Sequence, residues 1–332
     1  MRLLVIILII GFLSAFIVVD YLFIIPKNWP TPEYDFSKNP LTPEKVFLGR
    51  NLFYDPLLSK NNKISCENCH SPYSAFTHID HALSHGIYDS IGKRNSPALM
   101  NLAWKKTFMW DGAINHLDVQ ALAPISHVAE MGSSIKEVID KLNHSAKYRK
   151  LFFKAFGDSL ATGEKTLKSI SQFLLTLVSS NAKYDKVKRH ETTFTEQEEN
   201  GYQLFKTNCS TCHQEPLFTN DEFANNGLAL NNQLKDIGRM LVTKNKNDSL
   251  KFKVPTLRNI EYSYPYMHDG RFSKLSEVLN HYNSGINQSK TLAPQLKNGI
   301  TLTANDKVDL INFLITLSDK EFVFNKKFQF PK

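Results

Sequence analysis

The chain has 332 residues, of which 42% are hydrophobic and 22% are charged, a balance typical of a globular protein rather than a disordered one. Its formal net charge is +8, but the lysines are scattered and form no arginine-rich stripe, so we expect no nucleic acid among its partners. The four cysteines all lie in two short motifs, which leaves none for a disulfide framework elsewhere.

The N-terminus carries an apolar segment that predicts export. Residues 3–19 are mostly apolar and follow a single basic residue, Arg2, as in a secretory signal or an uncleaved membrane anchor. No small-x-small cleavage site follows, and the apolar pattern resumes beyond Asp20 far enough to span a hydrocarbon core. We therefore predict a periplasmic protein that residues 1–26 tether to the inner membrane, with a cleaved signal as the alternative. Residues 27–41, which are rich in proline, predict an extended linker.

Helical patterns dominate the remainder of the chain. Thr42 offers an N-cap before Pro43, and Thr195 can form a capping box with Glu198, so a helix is predicted before each cysteine motif. Strand signals are few and short. The fold class is therefore mainly α, with long loops. Apolar residues at three- to four-residue spacing predict three further helices, over residues 135–142, 166–178 and 305–317.

Two Cys-x-x-Cys-His motifs predict two covalently attached c-type haems. Two thiols at this spacing can reach the vinyl groups on one edge of a porphyrin, and the adjacent histidine then lies under the ring as an iron ligand. Zinc would need both cysteine pairs in one tetrahedral site, and a redox dithiol would need only one pair, so neither alternative explains the two histidines. The first haem is expected on Cys66, Cys69 and His70, and the second on Cys209, Cys212 and His213.

The surroundings of the two motifs repeat each other. The interval from Pro97 to Trp110 equals that from Pro255 to His268, and each interval is followed by Asp-Gly. Such matching is typical of an internal duplication. We predict two tandem cytochrome c-like haem domains, with a boundary in the charged segment near residues 183–191. Their expected limits are residues 42–188 and 189–332.

Several segments around these motifs resemble the bacterial di-haem cytochrome c peroxidase family, which includes the MauG-like enzymes. The resemblance runs from about Thr42 to about Leu317, nearly all of the chain beyond the apolar segment. No single segment is specific for this family, but the segments together are. The segments are Arg94-Asn95-Ser96-Pro97, Trp110-Asp111-Gly112, Gln120, Glu130-Met131, Val254-Pro255-Thr256-Leu257-Arg258-Asn259 and Pro265-Tyr266-Met267-His268-Asp269-Gly270.

The resemblance implies different tasks for the two haems. Peroxide would bind at the N-terminal haem, and the C-terminal haem would receive electrons from a small redox protein such as a cytochrome c or a cupredoxin. Glu130 would move a proton between the two peroxide oxygens, and Gln120 would orient the ligand. Trp110 would relay electrons between the haems. Without the resemblance, Glu130 is an ordinary surface carboxylate and Trp110 an ordinary core residue.

The resemblance also implies a calcium ion between the domains. The Asn95 side chain and the backbone carbonyls at Ser263 and Pro265 would hold it. Ligation by oxygen atoms alone suits calcium. Ser263 stands where the family usually has threonine, a change that a carbonyl ligand tolerates.

Two features depart from the standard peroxidases. Tyr282 stands where the C-terminal haem usually has a methionine as its second axial ligand, which is the MauG-like arrangement. A tyrosine oxygen is a harder ligand than methionine and favours ferric iron, so this haem should have a lower reduction potential. Met267, Met240 and His281 are alternative ligands. His85 lies in roughly the loop that blocks the N-terminal haem in many peroxidases, so we consider it as a gating ligand, with an exposed loop histidine as the alternative.

Three functions are compatible with these residues. The first is reduction of hydrogen peroxide by a di-haem cytochrome c peroxidase, and it is the one we predict. The second is a MauG-like oxidation of a protein or organic substrate through a high-valent iron state, which Tyr282 favours. The third is electron transfer alone, for which Gln120 and Glu130 would be coincidental. A homodimer is also among the expected assemblies.

Overall fold

The computed structural model describes residues 22–331. The predicted membrane segment therefore lies almost entirely outside the described residues, which include only its last five positions, residues 22–26. Within the described range, no helix has the length and the apolar character that crossing a membrane requires.

The proline-rich segment 27–41 lies against the folded body rather than free of it. The Trp29 ring packs edge-on against Trp104, with ring centroids 4.8 Å apart, and Trp104 Nε1–H donates to Pro30 O at 2.7 Å. The Arg258 guanidinium, from the second half of the chain, lies 4.7 Å from the Trp29 ring centroid. Aromatic contacts to both halves therefore fix this segment in place.

The described chain is mostly helical, as predicted, with long loops between the helices. Two strands of two residues each, β1 (Phe223–Ala224) and β2 (Phe252–Lys253), pair antiparallel. Short 3₁₀ turns and one π-helical stretch, His281–Gly285, interrupt the loops. The α-helices are α1 (Pro43–Tyr54), α2 (Leu117–Gln120), α3 (Leu122–Ser126), α4 (Ile135–His144), α5 (Ala146–Phe156), α6 (Gly163–Leu175), α7 (Lys183–Lys188), α8 (Glu196–Asn208), α9 (Met240–Thr243), α10 (Leu275–Asn280), α11 (Ala304–Ile315) and α12 (Lys320–Val323).

The helices before the two cysteine motifs begin where their caps predict. Thr42 Oγ1 accepts a hydrogen bond from Lys45 N–H at the start of α1, and Thr195 and Glu198 form a capping box at the start of α8. The three other predicted helices correspond to α4, α6 and α11, with ends displaced by up to three residues. The largest displacement arises because Thr162 caps α6 before the apolar pattern begins.

Each half is built on a close crossing of two helices, α1 with α6 and α8 with α11. A Cβ atom on Gly49 would lie 1.8 Å from Ser169 O, and a Cβ atom on Gly201 would lie 2.0 Å from Asp309 O. Only glycine permits such an approach, because it has no Cβ atom. The same device therefore sets the spacing of the paired helices in both halves.

The duplication is visible in the backbone as well as in the sequence. Residues at matched positions of the two halves share left-handed conformations that most residue types avoid. Their φ angles are 55° at Asn101 and 56° at Asn259, 69° at Met109 and 76° at Met267, and 70° at Gly112 and 65° at Gly270.

The two halves meet through equivalent contacts. Asn95 N–H donates to His268 O at 2.7 Å, and Lys253 N–H donates to Trp110 O at 2.7 Å. Lys253 lies 158 positions after Asn95, and His268 lies 158 positions after Trp110. In each bond, the donor and the acceptor therefore occupy the same two matched positions, with the two halves interchanged. This is expected for two copies related by an approximate two-fold axis.

Candidate active site

The first cysteine motif begins on a 3₁₀ turn, Cys66–Asn68, and its histidine follows directly. His70 Nδ1 lies 2.8 Å from Phe76 O. Because a carbonyl only accepts hydrogen bonds, Nδ1 carries the proton and Nε2 keeps its lone pair. Burial lowers the pKa of His70 to about 4, so the ring is neutral at pH 7. A neutral imidazole with a free Nε2 is the form that binds iron.

The second motif repeats this arrangement at the end of α8. His213 Nδ1 lies 3.1 Å from Phe218 O and 3.2 Å from Pro255 O, so Nδ1 again carries the proton. Burial lowers the pKa of His213 to about 4. The two histidines therefore present the same tautomer, held by backbone carbonyls.

One cavity of about 780 Å³ joins the two motifs. Cys69 and His70 line one part of it, and Cys209, Cys212 and His213 line another. All four cysteines are free thiols. Among residues 22–331, no three His, Cys, Asp or Glu side chains are arranged to hold a metal ion by themselves. Free thiols and neutral imidazoles around one cavity fit two covalently attached haems.

Trp110 lies on the wall of this cavity at the junction of the two halves. Its Nε1–H donates to Asn95 O at 2.8 Å, and its own carbonyl accepts the hydrogen bond from Lys253 in the second half. Hydrogen bonds therefore hold both the side chain and the backbone of Trp110. A fixed aromatic ring at this position suits a relay between two redox groups.

Gln120 and Glu130 line the cavity together with Cys69 and His70. Gln120 is the last residue of α2, and its Nε2 lies 3.8 Å from Met109 Sδ. Glu130 lies beyond α3, where its carbonyl accepts a hydrogen bond from Ile87 N–H at 2.7 Å. The structure thus places Glu130, the predicted acid–base residue, close enough to Cys69 to influence its pKa, and Gln120, the predicted orienting residue, on the wall of the same cavity.

Burial and one neighbouring residue shift the pKa of Glu130 in opposite directions. Burial raises the pKa of Glu130 above its ordinary value, and the His127 ring lowers it, with His127 Nδ1 at 3.4 Å from Glu130 Oε1. The Glu130 side chain is 30% exposed, on the cavity side, so it remains accessible to a small ligand. A carboxyl with a raised pKa is suited to exchange protons near neutral pH.

Tyr282 lies in the π-helical stretch and lines the cavity near Cys209 and Cys212. Burial raises the pKa of Tyr282 to about 12, and a hydrogen bond with Asn226 opposes this increase. Of the alternative ligands, Met267 also lines the cavity, whereas Met240 does not. His281 Nε2 is engaged with Asn226 O at 2.9 Å.

The His85 ring does not line the cavity, although its neighbour Ser84 does. His85 Nδ1 lies 3.0 Å from Asp89 Oδ1, and the ring stacks on His81 with centroids 4.2 Å apart. Its carbonyl accepts a hydrogen bond from Cys69 Sγ at 3.6 Å, so the backbone lies close to the first motif. In this conformation His85 is a partly exposed loop histidine, and iron binding would require its ring to leave Asp89.

The predicted calcium ligands, Asn95, Ser263 and Pro265, all line the cavity. Asn95 Nδ2 donates to Ala82 O at 3.1 Å, which orients the side chain and leaves Oδ1 as an acceptor.

Sequence reasoning missed the charged side chains in the cavity wall. Arg94 pairs with Asp236 at 2.6 Å, and Lys253 pairs with Asp221 at 2.7 Å. Lys105 lines the same wall. No local pattern could have found these pairs, because Arg94 and Asp236 lie 142 positions apart in the chain.

Comparisons with known proteins show the family to which the chain is similar. The sequence model of the di-haem cytochrome c peroxidase family matches residues 43–193, and that of cytochrome c matches residues 198–318. The methylamine utilization protein MauG of Methylorubrum extorquens is 34% identical over 299 residues, which cover 88% of this chain and 82% of that protein. The cytochrome c551 peroxidase of Nitrosomonas europaea is 36% identical over 248 residues, which cover 72% and 73% of the two chains.

A solved structure agrees as well. A MauG-like protein associated with microbial copper homeostasis superposes with a TM-score of 0.82 and 31% identity, over 93% of this chain and 98% of that one. Both haem attachment motifs lie within the region matched by the two family models. The chain therefore belongs to the di-haem cytochrome c peroxidase family, whose cofactor is haem c.

Proposed function

We propose that this protein reduces hydrogen peroxide to water with electrons from a small redox protein, such as a cytochrome c or a cupredoxin. The observation that carries the proposal is that Glu130 interacts with Cys69 and lines, together with Gln120 and His70, the cavity that the first motif opens into. A cytochrome that only transfers electrons needs no acid–base group at its cofactor. The similarity to the cytochrome c551 peroxidase supports the same reaction.

The residues of the first half divide the work of this reaction. When bound, the first haem would supply the redox-active iron at which peroxide is reduced. Glu130 would take a proton from one peroxide oxygen and return it to the other, which would leave as water. Gln120 orients the peroxide through its amide. In total, one peroxide, two electrons and two protons give two waters, and Trp110 relays electrons from the second half.

A MauG-like oxidation of a protein or organic substrate is the second candidate, and Tyr282 is the observation that favours it. A tyrosine oxygen at the second haem stabilises ferric iron, which makes acceptance of an electron from a donor protein less favourable. Under this candidate, the oxidising power generated with peroxide would be used on an organic side chain instead of on a donor cytochrome.

We also propose the finer assignments that the resemblance implies. Tyr282 ligates the second iron, His85 ligates the first iron when its ring turns toward the cavity, and calcium binds at Asn95, Ser263 and Pro265. The domain boundary falls between residues 188 and 189, within the charged segment that contains α7. The protein is periplasmic and held at the inner membrane by its N-terminal segment.

The decisive experiment is peroxide-dependent oxidation of a reduced small cytochrome c by the protein carrying both haems. The substitution Glu130→Gln should slow turnover by about 10²-fold or more, the contribution typical of acid–base groups, without loss of haem. Glu164→Gln is a matched control, because Glu164 is an exposed carboxylate paired with Lys168.

Each result of this experiment has a defined meaning. Unchanged turnover in Glu130→Gln would reject the acid–base role. Peroxide consumption without oxidation of the cytochrome would favour the MauG-like candidate. No reaction with peroxide at all would leave only an electron-transfer cytochrome.

A further inference from the structure

The cavity between the two halves is lined by several cationic side chains, and most of them already have an anionic partner or face solvent. Arg94 pairs with Asp236 and Asp111, each at 2.6 Å. Lys253 Nζ lies 2.7 Å from Asp221 Oδ1. Lys93 and Lys235 are exposed. These side chains need no further anion.

Lys105 differs from these side chains. It lines the cavity and is partly buried, but its ammonium makes no hydrogen bond or ion pair within 4 Å with any residue between 22 and 331. Asp221, the carboxylate that attracts the Lys105 ammonium, accepts hydrogen bonds from Lys253 Nζ and from Lys106 N–H instead. Burial lowers the pKa of Lys105 to about 8, with attraction to Asp221 and repulsion from Lys253 as smaller effects.

A buried ammonium on the cavity wall is stabilised when an anion bound in the cavity pairs with it. A haem carries two propionate groups, and a carboxylate taken out of water is stable only when it is paired. We propose that Lys105 pairs with a haem propionate and is thereby a cofactor-binding residue of this protein. This inference rests on the proposed occupation of the cavity by two haems.

The adjacent residue offers a matched control. Lys106 is 65% exposed, lies outside the cavity wall and pairs loosely with Glu33 at 3.7 Å. Its substitution therefore removes the same charge from the chain, one position away, without changing the cavity.

The test uses the full-length protein with both haems and compares Lys105→Met, Lys105→Arg and Lys106→Met. Haem content is measured by the pyridine haemochrome spectrum, and the midpoint potential of each haem by spectroelectrochemical titration. A positive charge near a haem stabilises its reduced form, so Lys105→Met should lower one midpoint potential. Lys105→Arg should restore that potential toward the wild-type value, and Lys106→Met should leave both potentials unchanged.

The proposal is overturned if Lys105→Met keeps both haems and has the same two potentials as Lys106→Met. If Lys105→Met loses a haem, Lys105→Gln provides a second neutral side chain for the same measurement. Haem loss in both neutral variants, with retention in Lys105→Arg and Lys106→Met, supports the need for a charge. Haem loss in Lys105→Arg as well would overturn the proposal, because shape rather than charge would then be required. Wild-type protein that lacks two haems would instead contradict the proposed function.

Discussion

At the residue scale, Glu130 is subject to two opposed effects. Burial raises its pKa, and the positively charged form of His127, 3.4 Å away, lowers it. In the proposed reaction the carboxylate must accept a proton, so activity is lost as the pH falls through the pKa of Glu130. Since burial raises that pKa, the loss should begin above the range of an ordinary glutamic acid, whose pKa is about 4.3.

This balance predicts the effect of removing His127. His127→Asn should move the acid limb of the pH profile to higher pH, because the carboxylate loses a neighbouring positive charge. The measurement is kcat/KM for peroxide between about pH 4 and pH 8, in the range where carboxyl and imidazole groups titrate. His144→Asn is the control, since His144 is an exposed residue of α4 whose Nδ1 lies 2.7 Å from the Asp140 carbonyl oxygen one turn earlier. An acid limb at the same pH in His127→Asn would contradict the prediction.

A second prediction at this scale concerns Tyr282. Tyr282→Met places a soft neutral ligand on the cavity wall near Cys209 and Cys212, and such ligands raise haem potentials. We expect a higher midpoint potential at the second haem and a near-infrared band characteristic of methionine bound to ferric iron. Tyr73→Met, at an exposed tyrosine, should show neither change. Such a band in the wild-type protein would show that a methionine already occupies this position.

At the scale of the elements, the helix crossings set the architecture of each half. Gly201→Ala places a Cβ atom 2.0 Å from Asp309 O in the facing helix, so α8 and α11 must move apart. We expect the free energy of unfolding to fall by about 1–3 kcal/mol, the usual cost of overpacking. Chemical denaturation of the holoprotein measures this change.

Gly163→Ala serves as the control for this prediction. Gly163 is also in a helix, but a Cβ atom there would first meet Ile135 Cγ1, a flexible side chain, at 3.2 Å. Its substitution should be neutral or slightly stabilising, because alanine favours the helix by up to about 1 kcal/mol over glycine. Equal destabilisation by both substitutions would show that helix spacing is not what Gly201 protects.

At the scale of the whole molecule, Arg94 joins the halves through Asp236. Burial alone would raise the pKa of Asp236, but the hydrogen bonds and the charge of Arg94 lower it below the ordinary value. A depressed pKa means that the pair stabilises the fold fully above the unfolded-state pKa of about 3.9. That stabilisation is lost as the pH falls through the lower pKa of the folded state.

Asp236→Asn tests this link between the halves. Loss of a charged hydrogen-bond acceptor should lower the free energy of unfolding by about 1.5–3 kcal/mol at pH 7. The deficit relative to wild type should shrink in strongly acidic solution, where the wild-type carboxyl is protonated as well. Denaturant titrations at the two pH values measure both quantities. Asp158→Asn, at an exposed surface pair with Lys165, should lower the free energy of unfolding much less than Asp236→Asn does. A pH-independent deficit in Asp236→Asn would contradict the electrostatic explanation.

The sequence by itself determined the features that depend on neighbouring residues. The two Cys-x-x-Cys-His motifs predict the haem attachment sites, the caps at Thr42 and Thr195 located the helices before them, and matched spacings revealed the duplication. Each of these signals is contained within a short segment, so no knowledge of the packing was needed.

The tertiary structure alone decided how distant residues meet. The equivalent bonds from Asn95 to His268 and from Lys253 to Trp110 join the halves. Residues of both cysteine motifs then line one continuous cavity. The same packing pairs Arg94 and Lys253 with remote aspartates and, among residues 22–331, gives Lys105 no ion pair within 4 Å. Sequence spacing cannot give this result, because the free energy of a buried charge depends on which groups the folded chain places around it.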